Sequence, residues 1–181
     1  PDVFVSENSI ESMLEYLKKH PEIGILGPKI VYHDGAIQPS CRRFMTFTDL
    51  IIKRTVLKRL PPFKERLRQY IMQDFNHNAV SEVELLVGAC FMMRKEIFER
   101  VGCFDKRYFL FMEDFDLCQK VHQADLRVVY FPKTAVTHYH KRLSDGNIAK
   151  LLFQKPFWHH LISSAKYFWR WREKCPTQKN Y

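Results

Sequence analysis

Apolar residues recur along this chain at two spacings, one helical and one extended, and their alternation lays out a mixed α/β domain. Asp2-Val3-Phe4-Val5 reads as the end of a strand. Asn8 and Glu11 have the spacing of a capping box, and Ile10, Met13, Leu14 and Leu17 follow at helical intervals. That helix is expected to stop near His20, before Pro21. Residues 23–32 are apolar and β-branched and predict a strand interrupted at Gly27-Pro28. A turn at His33-Asp34-Gly35 leads to an extended return over 36–44. The pattern is helical from Thr48 to Met72, with a break at Pro61-Pro62. Val83 to Met93 reads as a buried strand interrupted at Gly88-Ala89, and Arg94 to Val101 as a short helix closed by Gly102. A helix is expected over Leu117–Leu126 and a strand over Leu126–Phe131, after which Pro132 opens a loop leading to His138 and His140. Ile148 to Trp171 is helical in two pieces, broken at Pro156.

The stretch YFLFMEDFDLC (108–118) stands out from this pattern. Three carboxylates, Glu113, Asp114 and Asp116, lie among residues that belong in a core. A carboxylate there carries a desolvation cost that a cation, a hydrogen-bond donor or a reaction must offset. The cluster falls at a helix N-terminus, where the macrodipole favours negative charge. A purely stabilising acidic helix start is therefore the plain alternative to a reactive site.

The charge is unevenly spread. The net charge is +9, yet residues 1–41 and 73–140 are both acidic in balance. Residues 42–72 hold nine basic and two acidic side chains, and so do residues 141–181. Two basic segments thus bracket an acidic centre, a pattern that suits nucleic acid, an anionic membrane surface or a phosphorylated substrate. The second basic segment is rich in Phe, Tyr and Trp, as segments that touch a membrane interface are. No nucleic-acid-binding motif is present, so nucleic acid is not expected as a partner. Five widely spaced cysteines without a Cys-x-x-Cys pair argue against a disulfide framework and a structural zinc site, and for free thiols in a reducing cytosol. No apolar run reaches the roughly 18–20 residues of a membrane span.

Four stretches, in this order, carry a family resemblance: EIGILGPKIVYHDGAIQPSCRRF (22–44), VGACFMMRKEIFERVGCFD (87–105), YFLFMEDFDLCQKV (108–121) and VVYFPKTAVTH (128–138). The chain resembles the C-terminal half of family-2 glycosyltransferases with the GT-A fold, particularly the bacterial rhamnosyltransferase-like branch that builds surface polysaccharides. The resemblance implies a GT-A-like (nucleotide-diphospho-sugar transferase) mixed sheet flanked by helices. Residues 1–145 would be the acceptor side of the catalytic domain and 146–181 a basic aromatic helical extension of a kind that suits membrane association. It implies that the nucleotide-binding N-terminal half lies outside this sequence, and that the chain alone binds donor poorly.

The resemblance also assigns roles. Asp114 is implied as general base, with Glu113 orienting it or the acceptor. Gly88, Ala89 and Cys90 would floor the acceptor pocket, and Asp116 would contact the acceptor. Arg42 and Arg43 would reach a diphosphate. Asp2, as the tail of the family's metal element, and His138 would bind Mg²⁺ or Mn²⁺. For each there is a bland alternative: a helix cap, a solvated chain end, a loop histidine bonded to backbone, or surface arginines. Cys90 has no histidine near it in sequence and is not expected to act as a nucleophile. Two departures bear on loop shape: Gly102-Cys103-Phe104-Asp105-Lys106 stands where relatives usually have Gly-Gly-Phe-Asp-Glu, and Ala124-Asp125 where they have a glycine.

The expected activity is metal-dependent, inverting transfer of a sugar from a nucleotide-sugar donor to a saccharide acceptor, lipid-linked, at the cytoplasmic face of a bacterial membrane. Two other readings stand beside it: a non-catalytic basic module that binds membrane or nucleic acid, and an inactive relative that keeps the fold. Sugar identity, linkage and oligomeric state are not encoded legibly.

Overall fold

The computed structural model describes residues 2–139 and 155–172. The strand on which the sheet is built is β6 (Arg127–His138), whose residues Val128, Val129, Tyr130 and Phe131 are buried on both faces. On one edge it pairs in parallel with β2 (Ile23–Val31), itself a nearly continuous apolar run, as strands covered on both faces are. The other edge is shared by β1 (Val3–Val5), antiparallel to Val136–His138, and β4 (Ser81–Glu82), antiparallel to Val129–Tyr130.

Helix α1 (Glu7–Lys19) covers one face, burying Met13 and Leu17 against Ile23, Leu26, Val129 and Phe131. Helix α5 (Glu113–Gln123) covers the other, where Leu117, Cys118 and Val121 meet Ile25, Val128 and Tyr130. The result is a mixed sheet between helices. β3 (Cys41–Arg42) and β5 (Leu85–Leu86) form a separate two-stranded ladder. Between them come α2 (Phe47–Arg54), a 3-10 turn (Val56–Arg59) and α3 (Pro61–Tyr70). Helix α4 (Lys95–Arg100) closes at Gly102, as its sequence predicts, with φ +88°.

Several expectations change. β2 does not break at Gly27-Pro28: its register slips after Pro28, where the partners on β6 jump from Phe131 to Ala135. Pro28 and Pro132 lie together at this slip, so the ladder loses pairing where two N–H donors are missing anyway. Gly27 is required by packing, since a Cβ there would lie 2.8 Å from the Leu86 side chain. β6 likewise continues past Pro132 to His138, because β1 and β2 grip its far end on both edges. The stretch 83–93 is not one strand. It pairs at β5, turns over 88–90 and rejoins the sheet at Met92, which bridges Leu26. Helix α1 starts at Glu7 with Ser6 as N-cap rather than on an Asn8/Glu11 box. A complete capping box forms instead at Thr46/Asp49 of α2, with Arg66 of α3 paired to Asp49.

Helix α6 (Lys155–Trp171), set apart by sequence as an extension beyond residue 145, packs into the same core. Pro156 lies in its first turn, and residues 148–154 and His140 lie outside the described residues. Tyr167 and Trp171 are buried with Phe115, Leu117 and Cys118. The Tyr167 hydroxyl accepts a hydrogen bond from Gln119 Nε2 (3.1 Å), and Ser163 Oγ donates to the Leu110 carbonyl (2.8 Å). The tightest tie is Asp116, which is 0% exposed. Its Oδ1 accepts from Trp171 Nε1 at 2.9 Å and lies 3.3 Å from Arg170 Nε, and Lys120 Nζ is 2.9 Å from Oδ2. Replacing Asp116 by Ala leaves buried cationic and indole donors unmatched. The expected loss is about 3–5 kcal/mol of stability, read as a lower urea midpoint at unchanged slope.

Candidate active site

The acidic cluster owes its aim to a strained corner. Phe111 and Met112, immediately before α5, both adopt left-handed backbone conformations, with φ of 67° and 69°. For non-glycine residues each such conformation costs about 1–3 kcal/mol and persists only where the surroundings enforce it. Here α6 enforces it. Ser163 bonds the Leu110 carbonyl, and the rings of Phe109 and Phe111 pack on His159 and His160 at 4.7 and 5.0 Å. Met112 itself is buried. The corner turns Glu113 and Asp114 out at the first turn of the helix.

Asp114 meets the turn at 88–90. Its Oδ2 accepts a hydrogen bond from the Gly88 N–H at 3.0 Å, and Oδ1 accepts from the Phe115 N–H at 2.9 Å. Gly88 is exposed, and a Cβ on it would come within 3.3 Å of the Asp114 Cβ. Glycine thus leaves the carboxylate open on that side. Burial raises the pKa of Asp114; the Gly88 and Phe115 amides and the charge of Arg42 oppose that rise without cancelling it. Each carboxylate oxygen keeps a lone pair beyond its one amide partner. Glu113 is also raised, first by burial and further by the charge of Asp114, and its Oε2 is buried without a hydrogen-bond partner. Ala89 and Cys90 complete the turn, both partly buried, and burial raises the Cys90 thiol.

Asp116 is not part of this surface. Two positions along the helix it faces α6, fully buried and held by Trp171, Arg170 and Lys120. Its place is structural, contrary to the expected acceptor contact, because residues two apart on a helix point to opposite sides.

Residues 38–42 link the remaining candidates. Val87 N–H bonds the Ser40 carbonyl at 2.9 Å, fastening this arm beside Gly88. At one end Arg42, partly buried in β3, lies near enough to Asp114 for each charge to act on the other. Arg43 contributes its backbone N–H to the Tyr70 carbonyl (3.0 Å), and no side-chain contact with an anion-binding group marks it out. At the other end Gln38 Oε1 lies 3.0 Å from His138 Nδ1. His138 Nε2 in turn lies 3.7 Å from Asp2 Oδ2.

Asp2 and His138, 136 residues apart in sequence, are brought together by the antiparallel pairing of β1 with the end of β6. With Nδ1 donating to Gln38, Nε2 presents its lone pair towards Asp2, the arrangement in which a metal-ligating imidazole is held. An imidazole nitrogen and a carboxylate fit a divalent cation as two of its ligands. Among the described residues no cluster of three or more His, Cys, Asp or Glu side chains forms. Gln38 escaped the sequence reading, since an isolated glutamine in an extended segment carries no signal before β6 is seen to reach His138.

A family model described as "Glycosyltransferase like family 2" matches residues 2–152. The chain is 34% identical over 148 residues, 81% of its length, to the N-acetylglucosaminyl-diphospho-decaprenol L-rhamnosyltransferase of Mycobacterium tuberculosis. It spans about half that relative's length, 47%. It is 35% identical over 92 residues, half of this chain and 32% of the relative, to the rhamnosyltransferase WbbL of Escherichia coli. Among solved structures, GalNAc-T7 with UDP, GalNAc and Mn²⁺ aligns with a TM-score of 0.49 at 17% identity, over 77% of this chain and 26% of that one. With the family model matched across most of its length, the chain belongs to glycosyltransferase family 2.

Proposed function

We propose that this chain is the acceptor-side half of a metal-dependent, inverting glycosyltransferase of GT-A type, with Asp114 as its general base. The observation that carries this reading is the Asp114 carboxylate itself: desolvated, oriented by the Gly88 amide, and opened to an incoming group by the absence of a side chain at that glycine. In the reaction the acceptor hydroxyl gives its proton to Asp114 while its oxygen attacks the anomeric carbon of a nucleotide sugar. The bond from that carbon to the diphosphate breaks, and the nucleoside diphosphate leaves with the electron pair. A single displacement inverts the anomeric configuration and needs no covalent side chain.

A raised pKa suits this step, because a stronger base takes a hydroxyl proton more readily, as long as it is ionised at working pH. Glu113, with its unpaired oxygen beside Asp114, helps hold the acceptor; Ala89 and Cys90 extend the floor that Gly88 begins. Asp2 and His138 would hold Mg²⁺ or Mn²⁺, which supplies Lewis-acid stabilisation of the departing diphosphate. Gln38 keeps the His138 ring in position for that role.

The mycobacterial relative's name specifies a diphospho-prenol-linked saccharide and rhamnosyl transfer. We extend the same acceptor class to this protein, placing it at the inner face of a bacterial membrane in surface polysaccharide synthesis. We propose peripheral attachment for this part of the protein, on its basic and aromatic segments; among the described residues no helix is long and apolar enough to cross a membrane.

Asp114→Asn in the full-length protein is expected to lower transfer to a saccharide acceptor by about 10²–10⁴-fold without changing thermal stability. Unchanged turnover would remove Asp114 as base and favour a binding module. Because Asp114 must be ionised to act, activity should fall on the acid side with an apparent pKa above the ordinary aspartate value of 3.8, read from kcat against pH. Mn²⁺ affinity by calorimetry should drop about 10–100-fold in Gln38→Ala, and binding should be lost in His138→Ala.

A further inference from the structure

Four cationic or basic side chains lie near this site, one of them, Arg42, within reach of the Asp114 charge. Lys53 and Arg54 end α2, Arg42 lies in β3, and His160 lies on α6 one turn beyond Phe157. The Arg54 guanidinium lies 5.5 Å from the centre of the Phe157 ring, and Lys53 Nζ lies 5.3 Å from that of Tyr70. Tyr70 is also tied by its carbonyl to the backbone next to Arg42. Contacts from Phe47 to Phe168 and from Arg54 to Phe157 show that α2 and α6 run side by side in opposite directions.

The groups feel one another. Burial, then Arg54 and Arg42, bring the Lys53 ammonium down to about 8, although the residue as a whole is exposed. Burial, then Arg54 and Lys53, hold His160 near 4. Other arginines pair with carboxylates: Arg66 with Asp49, Arg107 and Arg170 with Asp105, Arg127 with Glu82. Among the described residues, no carboxylate lies within ion-pair distance of Arg42, Lys53 or Arg54. Gathering cations side by side without a counter-charge is costly unless an anion completes the group.

The faces beside the cluster are apolar. Phe47 and Ile51 on α2, and Trp158, Leu161 and Ile162 on α6, are exposed. We propose that Arg42, Lys53, Arg54 and His160 bind the diphosphate of a prenyl-diphosphate-linked saccharide, with the exposed faces of α2 and α6 carrying its first isoprene units. The assignment rests on the transferase reading above. It places the saccharide between the cluster and Asp114, with Arg42, which acts on Asp114, at the junction.

The test titrates the whole chain, without divalent metal, with inorganic pyrophosphate, farnesyl diphosphate, farnesol and UDP. Wild type is compared with Lys53→Gln, Arg54→Gln and, as a control in the same basic segment, Lys64→Gln on α3, with thermal melts confirming the fold of each. Farnesyl diphosphate should bind more tightly than pyrophosphate or UDP, and farnesol should not saturate. Lys53→Gln and Arg54→Gln should each weaken binding by about tenfold or more, with Lys64→Gln unchanged. Equal loss in Lys64→Gln would show diffuse attraction and overturn the site, as would unaffected binding in Lys53→Gln and Arg54→Gln. UDP binding as tightly as farnesyl diphosphate would overturn the acceptor assignment. The titration contains no donor and so reads the anion site alone; full-length protein that binds as expected but transfers no sugar from any nucleotide-sugar donor would refute the transferase reading and leave the anion site standing. Transfer at unchanged acceptor KM in Arg54→Gln would do the reverse.

Discussion

The buried carboxylate of Asp116 is the interaction on which the site depends. It draws α6 onto α5 through Trp171 and Arg170, with Lys120 of α5 balancing its charge, and Arg170 extends the same web to Asp105 and Arg107. Once α6 is seated, Ser163 and the histidines at 159 and 160 grip the chain at 109–111. That grip sustains the two left-handed residues before α5, and the corner they make directs Asp114 to Gly88. An ion pair on one side of a helix thereby sets the aim of a carboxylate on the other.

Three carboxylates within four positions consequently have three chemical characters. Asp116 is bonded by Trp171 and flanked by the charges of Arg170 and Lys120, and does structural work. Asp114 is desolvated, has two amide donors and is left with a raised pKa. Glu113 is raised by burial and by its neighbour, with one oxygen unmatched. The helix N-terminus favours negative charge at all three, so the dipole alone does not separate them; their directions around the helix do. The unmatched cations at the ends of α2 and β3 are the counterpart of this imbalance. Arg42 joins the two groups, acting on Asp114 and on the charge of Lys53.

Much of the architecture was legible along the chain. The periodicity of residues 10–17, the apolar run from Ile23 and the Gly102 stop located α1, β2 and the end of α4, because each is decided by nearby residues. Proline misled that reading. Pro28 and Pro132 each signal a break locally, yet both strands run on because the pairing of β2 with β6 is strong enough on either side of one shared slip. Residues 83–93 misled it too, since their apolar character reflects burial under α5 rather than a continuous ladder.

For the site, the sequence by itself determined its chemistry: which carboxylates sit in an apolar setting, that a glycine and small residues lie at 88–90, and the order of motifs that marks the family. Only the tertiary structure decided their division of labour. Asp114 and Asp116 look alike as letters in a helix start, and only the packing of α6 turns one of them to Gly88 and leaves the other buried and paired. The approach of Asp2 to His138, the support of Gln38, and the gathering of Arg42 with Lys53, Arg54 and His160 depend on strand pairing and helix packing between distant segments. Such contacts follow from the register of β6 and the seating of α6, which no local pattern of residues expresses.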